Sequence, residues 1–189
     1  MEGREYLARV TMDLEEAFFL RKDAELRAKL HQALENKEKR ECLAAASGIH
    51  KEETLDALIK LGITPQTLAA FSLVPLVAVA WSDGELDGKE KAAILKAIHE
   101  EGIRTDGPAY QLLETWLDHA PGKEVLSTWK QYVAELGKTL DKGTRFLIHE
   151  GILGRARKVA EASGGFLGLG RKISASEARV LAELETSFS

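Results

Sequence analysis

The chain has 189 residues, with 26 Lys and Arg against 30 Asp and Glu, and its formal net charge is −4. Its hydrophobic share of 44% is close to that of ordinary globular domains, so the chain can form a buried core and is not expected to be disordered. A net negative chain has no overall basic field, which argues against a nucleic-acid partner. The single cysteine, Cys42, excludes an internal disulfide and a zinc site built from cysteines.

The first 35 residues predict a long charged helix with one apolar stripe. Apolar residues recur at spacings of three and four from Leu7 to Leu34, which is the period of one helix face. The stripe shifts at residues 21–23, so we expect a kink or break there and a separate short helix over residues 41–46, closed by Ser47-Gly48. The stripe is a candidate surface for a protein partner or for a second copy of the chain in a homodimer.

Helical patterns continue to the end of the chain, and strand patterns are nearly absent. After a helix over residues 52–61, Thr64-Pro65 indicates the start of an apolar helix that ends at Trp81, because threonine can accept a free amide and proline has no amide to donate. Further helices are expected over residues 88–102, 109–119, 123–137, 144–162 and 175–186. The prediction is an all-α fold of eight or nine helices, with a helical extension over residues 1–62 and a main domain over residues 63–189.

Two observations bear on location. The apolar run at residues 68–81 contains Pro75 and is shorter than the roughly 18–20 residues that a membrane-spanning helix needs. The first nine residues are charged and lack the apolar segment of a secretory signal. We therefore expect a cytoplasmic protein.

An internal repeat marks two helix-turn-helix units. The segment VAWSDGELDGKE at residues 79–90 is repeated more weakly as VAEASG at 159–164 and KISASE at 172–177, with seven residues inserted between them. In each copy a glutamate follows a polar residue by three positions, Asp87 with Glu90 and Ser174 with Glu177, which is the spacing of a capping box. We expect the helix ending at Trp81 to pack against helix 144–162 in a pseudo-two-fold core.

At these residues the sequence resembles the TerB-like family, named after a bacterial tellurite-resistance protein and related to the N-terminal domain of the DjlA co-chaperones. The resemblance covers residues 64–189 and rests on the segment from Val77 to Asp87 with Glu90, and on the weaker copy before Glu177. It implies a compact multi-helix bundle and a non-enzymatic role in bacterial stress or envelope-associated physiology. Proteins of this family carry acidic residues on these turns and are thought to bind a divalent cation there.

The acidic turn has two interpretations. Asp83, Glu85, Asp87 and Glu90 place four carboxylates within eight residues, and hard cations such as Ca²⁺ and Mg²⁺ take oxygen ligands. The resemblance implies a cation at Asp83, Asp87 and Glu90. With Glu85 and Glu177 these residues form the candidate metal site, with calcium or magnesium as the candidate cofactor. Alternatively these acids are structural, because Asp-Gly is a favourable turn and an acid suits the first turn of a helix.

The second copy of the repeat keeps only Glu177 of these acids. Ser163, Lys172 and Ser174 stand where the first copy has Asp83, Glu85 and Asp87, so a cation shared by both turns would lose most of its second ligand set. A rival hypothesis is that Arg171 or Lys172 lies against the acidic turn and neutralises it as an ion pair.

No catalytic motif is found, and the chain is not expected to be an enzyme. The histidines lack the His-Glu-x-x-His spacing, no Gly-x-Ser-x-Gly segment occurs, and Cys42 beside an apolar run is expected to be buried. The glycine-rich segment at residues 164–170 lacks the Lys and Ser or Thr of a phosphate loop. Its apolar residues either fold onto the core or contact a partner or, peripherally, a membrane surface; they are Phe166, Leu167 and Leu169.

Overall fold

The computed structural model describes residues 2–163 and 173–187. Within these ranges it contains nine α-helices and no strand, which confirms the predicted all-α class. The helices are α1 (Glu2–Ser47), α2 (Glu52–Lys60), α3 (Leu68–Phe71), α4 (Val74–Ala80), α5 (Gly88–Glu100), α6 (Pro108–Asp118), α7 (Lys123–Thr139), α8 (Lys142–Ser163) and α9 (Ala175–Thr186). Contacts divide the chain into two compact units, Met1–Glu41 and Cys42–Ser189. The domain boundary predicted between residues 62 and 63 stays a prediction.

Helix α1 is continuous, so the predicted break at residues 21–23 and the separate helix over residues 41–46 are wrong. No Gly or Pro occurs between Arg4 and Ser47, and most residues of this stretch are strong helix formers. Ion pairs one turn apart span the expected break, Arg21 with Glu25 at 3.2 Å and Arg27 with Asp23 at 2.9 Å. A shift of the apolar stripe moves it around the helix surface and does not require the backbone to break.

Helix α4 lies at the centre of the second unit. Six of its seven residues are buried, and it contacts α5, α7, α8 and α9. Its packing against α8 is the contact predicted for the apolar run and helix 144–162. Helix α5 also packs along α8, so the two helices that flank the acidic turn share one support.

The single apolar helix expected from Thr64 to Trp81 is divided into α3 and α4, and that prediction is wrong. Pro75 cannot donate an amide to the carbonyl of Phe71, and its ring conflicts with a continuous helix there, so it occupies the first turn of α4 instead. Before α3, the backbone N–H of Thr64 donates to the Oγ1 of Thr67 at 2.9 Å. Residues 64–67 therefore form a turn, and the helix begins only at Leu68.

Helix α5 has a defined end as well as a defined start. Gly102 follows it with φ +67°, a conformation that costs an L side chain free energy. The amide of Ile103 then donates to the carbonyl of Ile98 at 3.2 Å, closing the last turn. This closure fixes the length of the helix that carries Glu90.

Among the described residues, no helix is both long and apolar enough to cross a membrane. Two predictions concern residues outside the described ranges: the role of the glycine-rich segment 164–170 with Phe166, Leu167 and Leu169, and the rival ion pair through Arg171 or Lys172.

Candidate functional site

The candidate site begins at the turn between α4 and α5. Gly84 has φ +95°, and its amide donates to the carbonyl of Trp81 at 3.1 Å. The Oδ1 of Asp83 accepts the amide of Glu85 at 3.1 Å, which closes a second small turn. Both acidic side chains are exposed. The indole N–H of Trp81 donates to the carbonyl of Trp116 at 2.8 Å, which ties the start of the turn to α6.

The turn ends in the predicted capping box, which the structure confirms. The Oδ1 of Asp87 accepts the amides of Lys89 at 2.7 Å and Glu90 at 2.8 Å, and the Oε2 of Glu90 accepts the amide of Asp87 at 2.9 Å. Asp87 is exposed, but Glu90 is only 4% exposed. The second acid of the box is therefore inside the protein.

The second predicted capping box is also present, at the start of α9. The Oγ of Ser174 accepts the amide of Glu177 at 3.2 Å, and the Oε2 of Glu177 accepts the amide of Ser174. Glu177, like Glu90, is 4% exposed. Two helices of the second unit thus begin with a buried glutamate.

The two buried glutamates are within electrostatic reach of each other. The pKa of Glu90 is raised from its ordinary value of 4.5 to about 7. Burial is the largest cause, the hydrogen bond from the backbone of Asp87 lowers the pKa, and the negative charges of Asp87, Glu177 and Asp83 add to the rise. Helix α9 packs on α4 and α8, and the charge of Glu177 acts on Glu90 in the first turn of α5. The structure therefore places Asp83, Asp87 and Glu177 within electrostatic range of Glu90. The backbone amide of Glu85 donates to Asp83, and its side chain is exposed to solvent.

These four carboxylates already accept hydrogen bonds from the backbone. In the described part of the chain, no group of three or more His, Cys, Asp or Glu side chains is arranged to hold a metal ion. Asp83, Asp87, Glu90 and Glu177 each use one oxygen to accept a backbone amide. A cation would bind through the other oxygen of each carboxylate or compete for these amide partners. The predicted metal site of Asp83, Glu85, Asp87, Glu90 and Glu177 stays a prediction.

A second candidate surface lies on α1. Leu26, Leu30 and Leu34 are 56%, 57% and 61% exposed, and Phe18 is exposed beneath the ammonium group of Lys22, which lies 5.3 Å from its ring centroid. Large apolar side chains in a row on one helix face favour contact with another apolar surface.

Two features of the second unit were missed from the sequence. Phe146 and Leu147 on α8 are strongly exposed, although we assigned their helix to the core. Three consecutive apolar residues on a helix cannot all face one side, because successive side chains differ by about 100°, and this signal was present at residues 146–148. Beside them lies a cavity of about 360 Å³, whose lining includes Leu147 and the ion pair of Arg155 with Glu101.

No protein-family model, curated protein or solved structure matches the chain. The TerB-like resemblance therefore rests on the repeat and its acidic turn alone.

Proposed function

We propose that this protein is a non-enzymatic, TerB-like stress-response module that binds a divalent cation at the acidic turn between α4 and α5. The observation that carries the proposal is the pair of buried carboxylates, Glu90 and Glu177, at the starts of two different helices. A second negative charge is costly in such a place. A divalent cation, which takes carboxylate oxygens as ligands, offsets that cost.

Cation binding at this turn would change the packing of helices in the core. The turn joins α4 to α5, both of which pack against α8, and Glu177 begins α9, which packs against α4 and α8. A cation that draws Glu90 and Glu177 together changes how α5 and α9 meet the core, and with it the surface that a partner contacts. Because the ligand must be ionised, the cation competes with the proton on Glu90, and affinity rises as pH passes about 7.

Calorimetric titration with calcium, magnesium and manganese chlorides tests the proposal. The wild type is expected to release heat with at least one of these cations, more strongly at pH 8 than at pH 6. Asp83→Asn and Glu177→Gln are expected to lose the signal, since each removes a negative charge but keeps an oxygen for the backbone amide. Glu53→Gln, an exposed acid on α2, is the matched control and should bind like the wild type. Absence of heat in the wild type at pH 8 would overturn the proposal.

A second candidate function is a protein interaction or dimerisation module in which the acidic turn only caps α5. The exposed leucines of α1 favour this function, because they form an apolar row that is open to solvent in the described structure. Sedimentation of the full chain over a concentration series tests the dimerisation version. A mass that stays monomeric at the highest concentration excludes it.

A further inference from the structure

The exposed row on α1 has a charged residue at each end. We define the α1 seam as Asp23, Leu26, Leu30, Leu34 and Lys37. At 100° per residue these five positions fall within an arc of about 80°, so they lie on one face of the helix. All five side chains are exposed.

The spacing of the seam residues is symmetric about Leu30. Its successive spacings are three, four, four and three residues, with leucine at the three inner positions and opposite charges at the two outer ones. An antiparallel copy turned about Leu30 therefore places Leu26 beside the partner's Leu34. The same rotation places Asp23 beside the partner's Lys37.

The parallel arrangement lacks this complementarity. In a parallel pair in register, Asp23 faces the partner's Asp23 and Lys37 faces the partner's Lys37. Like charges directly opposite each other on a helix seam are unfavourable and act against that partner or orientation. The charge pattern therefore favours the antiparallel orientation and makes the seam complementary to a second copy of itself.

We infer that α1 pairs antiparallel with α1 of a second copy of this chain, with the two-fold axis beside Leu30. This inference rests on the interaction role given above as the second candidate function and does not depend on a cation. The facing segments are residues 19–41 of each helix, about 34 Å at 1.5 Å per residue. Stable complexes bury about 1,200–2,000 Å², and three leucine layers bury less than this. We therefore expect a weak dimer, with a dissociation constant on the order of 10–100 µM.

A charge swap tests the orientation in solution. Asp23→Lys or Lys37→Asp alone places like charges opposite each other in the antiparallel pair, and each is expected to weaken the dimer roughly three- to tenfold in sedimentation equilibrium. The double variant restores opposite charges and is expected to return to within about twofold of the wild type. Lys39→Asp, which changes an exposed charge on the opposite face of α1, is the matched control and should leave the dimer unchanged.

Cross-linking gives an independent measure of which residues face each other. In a Cys42→Ser chain, Asp23→Cys and Lys37→Cys variants are oxidised separately and as a mixture. The antiparallel pair predicts a disulfide between the two different variants, identified by mass, and little product from either variant alone.

The outcomes separate the inference from the functions proposed above. A wild-type chain that stays monomeric overturns the self-pairing and leaves the cation titration unaffected. Two outcomes overturn the antiparallel arrangement but keep a dimerisation role. In the first, the double variant does not recover the affinity of the wild type. In the second, each cysteine variant oxidised alone forms disulfide-linked dimers with itself.

Discussion

At the scale of single residues, two features of Glu90 have opposite effects on the ionisation of its carboxyl group. Its carboxylate accepts the amide of Asp87, which favours the ionised form, but the side chain is buried beside other acids, which favours the protonated form. Burial prevails, and the pKa rises to about 7. The group therefore changes charge close to neutral pH, where an exposed glutamate is already ionised.

This charge change makes stability depend on pH. Glu90 holds its proton more tightly in the folded chain than in the unfolded chain, where its pKa is near 4.5, so its contribution favours the folded state at low pH and is lost as pH rises from about 4.5 to about 7. Glu90→Gln keeps an oxygen for the amide of Asp87 but cannot ionise. Its melting temperature, measured from pH 5 to pH 8, should fall less steeply than that of the wild type. Glu53→Gln should keep the wild-type slope, and equal slopes for all three chains would contradict the assignment.

Asp87 is the other half of the same cap. Asp87→Ala leaves the amides of Lys89 and Glu90 without their acceptor and should lower the free energy of unfolding by about 1 kcal/mol, within a range of about 0.5–2. Asp87→Asn retains the accepting oxygen, so its loss should be clearly smaller. Denaturant unfolding of the two variants measures the difference, and an equal loss would mean that the charge, rather than the hydrogen bond, stabilises the turn.

Local signals predicted some residues well and others poorly. Both capping boxes were predictable because a cap depends on residues only three positions apart. The proximity of Glu177 to Glu90 was expected only from the repeat and the resemblance, because it depends on the packing of α9 on α4 and α8 and not on neighbouring residues in the chain. Cys42 was expected to be buried and is exposed, since its neighbour Leu43 takes the core position and the next residue on a helix points about 100° away.

At the scale of elements, the sequence predicted a helix well where both ends carry a chemical signal. Helix α5 begins at the cap of Asp87 and ends before Gly102, close to the predicted range of 88–102. In the apolar run before the acidic turn, Thr64-Pro65 was interpreted as a helix start but belongs to a turn, and the hydrophobicity of the run concealed the interruption that Pro75 imposes. Residues 21–23 illustrate the opposite error, because a change in pattern was interpreted as a change in backbone.

The glycine that ends α5 gives a test at this scale. Gly102→Ala forces an L side chain into φ +67° and should destabilise the chain by about 1 kcal/mol, even though no atom lies within 4 Å of the added carbon. Gly88→Ala is the matched control at the start of the same helix, where the space is also open and no positive φ is found. It should be neutral or slightly stabilising. Thermal or denaturant unfolding compares them, and equal stability would show that backbone conformation does not limit this end of α5.

At the scale of the whole molecule, the second unit contains an extensive hydrophobic core. Among the residues whose side-chain burial the structure describes, which are Phe18, 21–162 and 173–187, the buried hydrophobic ones lie between Leu43 and Leu184. Helix α4 contacts four other helices within this core. The second unit, Cys42–Ser189, therefore contains what a cooperative domain needs.

A chain of residues 42–189 should fold without the first unit. We expect a single cooperative thermal transition. Compared with the full chain, the circular-dichroism signal of helix should be smaller by the contribution of residues 2–41. The same chain should sediment as a monomer at concentrations where the full chain associates. A shortened chain without a cooperative transition would show that the second unit needs the first, and one that still dimerises would place the association outside α1.

Trp81, whose indole donates to the carbonyl of Trp116, also gives the acidic turn a fluorescence signal. The chain has three tryptophans; Trp116 and Trp129 are buried, whereas Trp81 is partly exposed, and only it adjoins the turn. Any event at Asp83 or Glu90 that shifts the end of α4 alters the surroundings of this one indole. Intrinsic fluorescence thus reports on the turn without a label, and Trp81→Phe separates its emission from that of the other two.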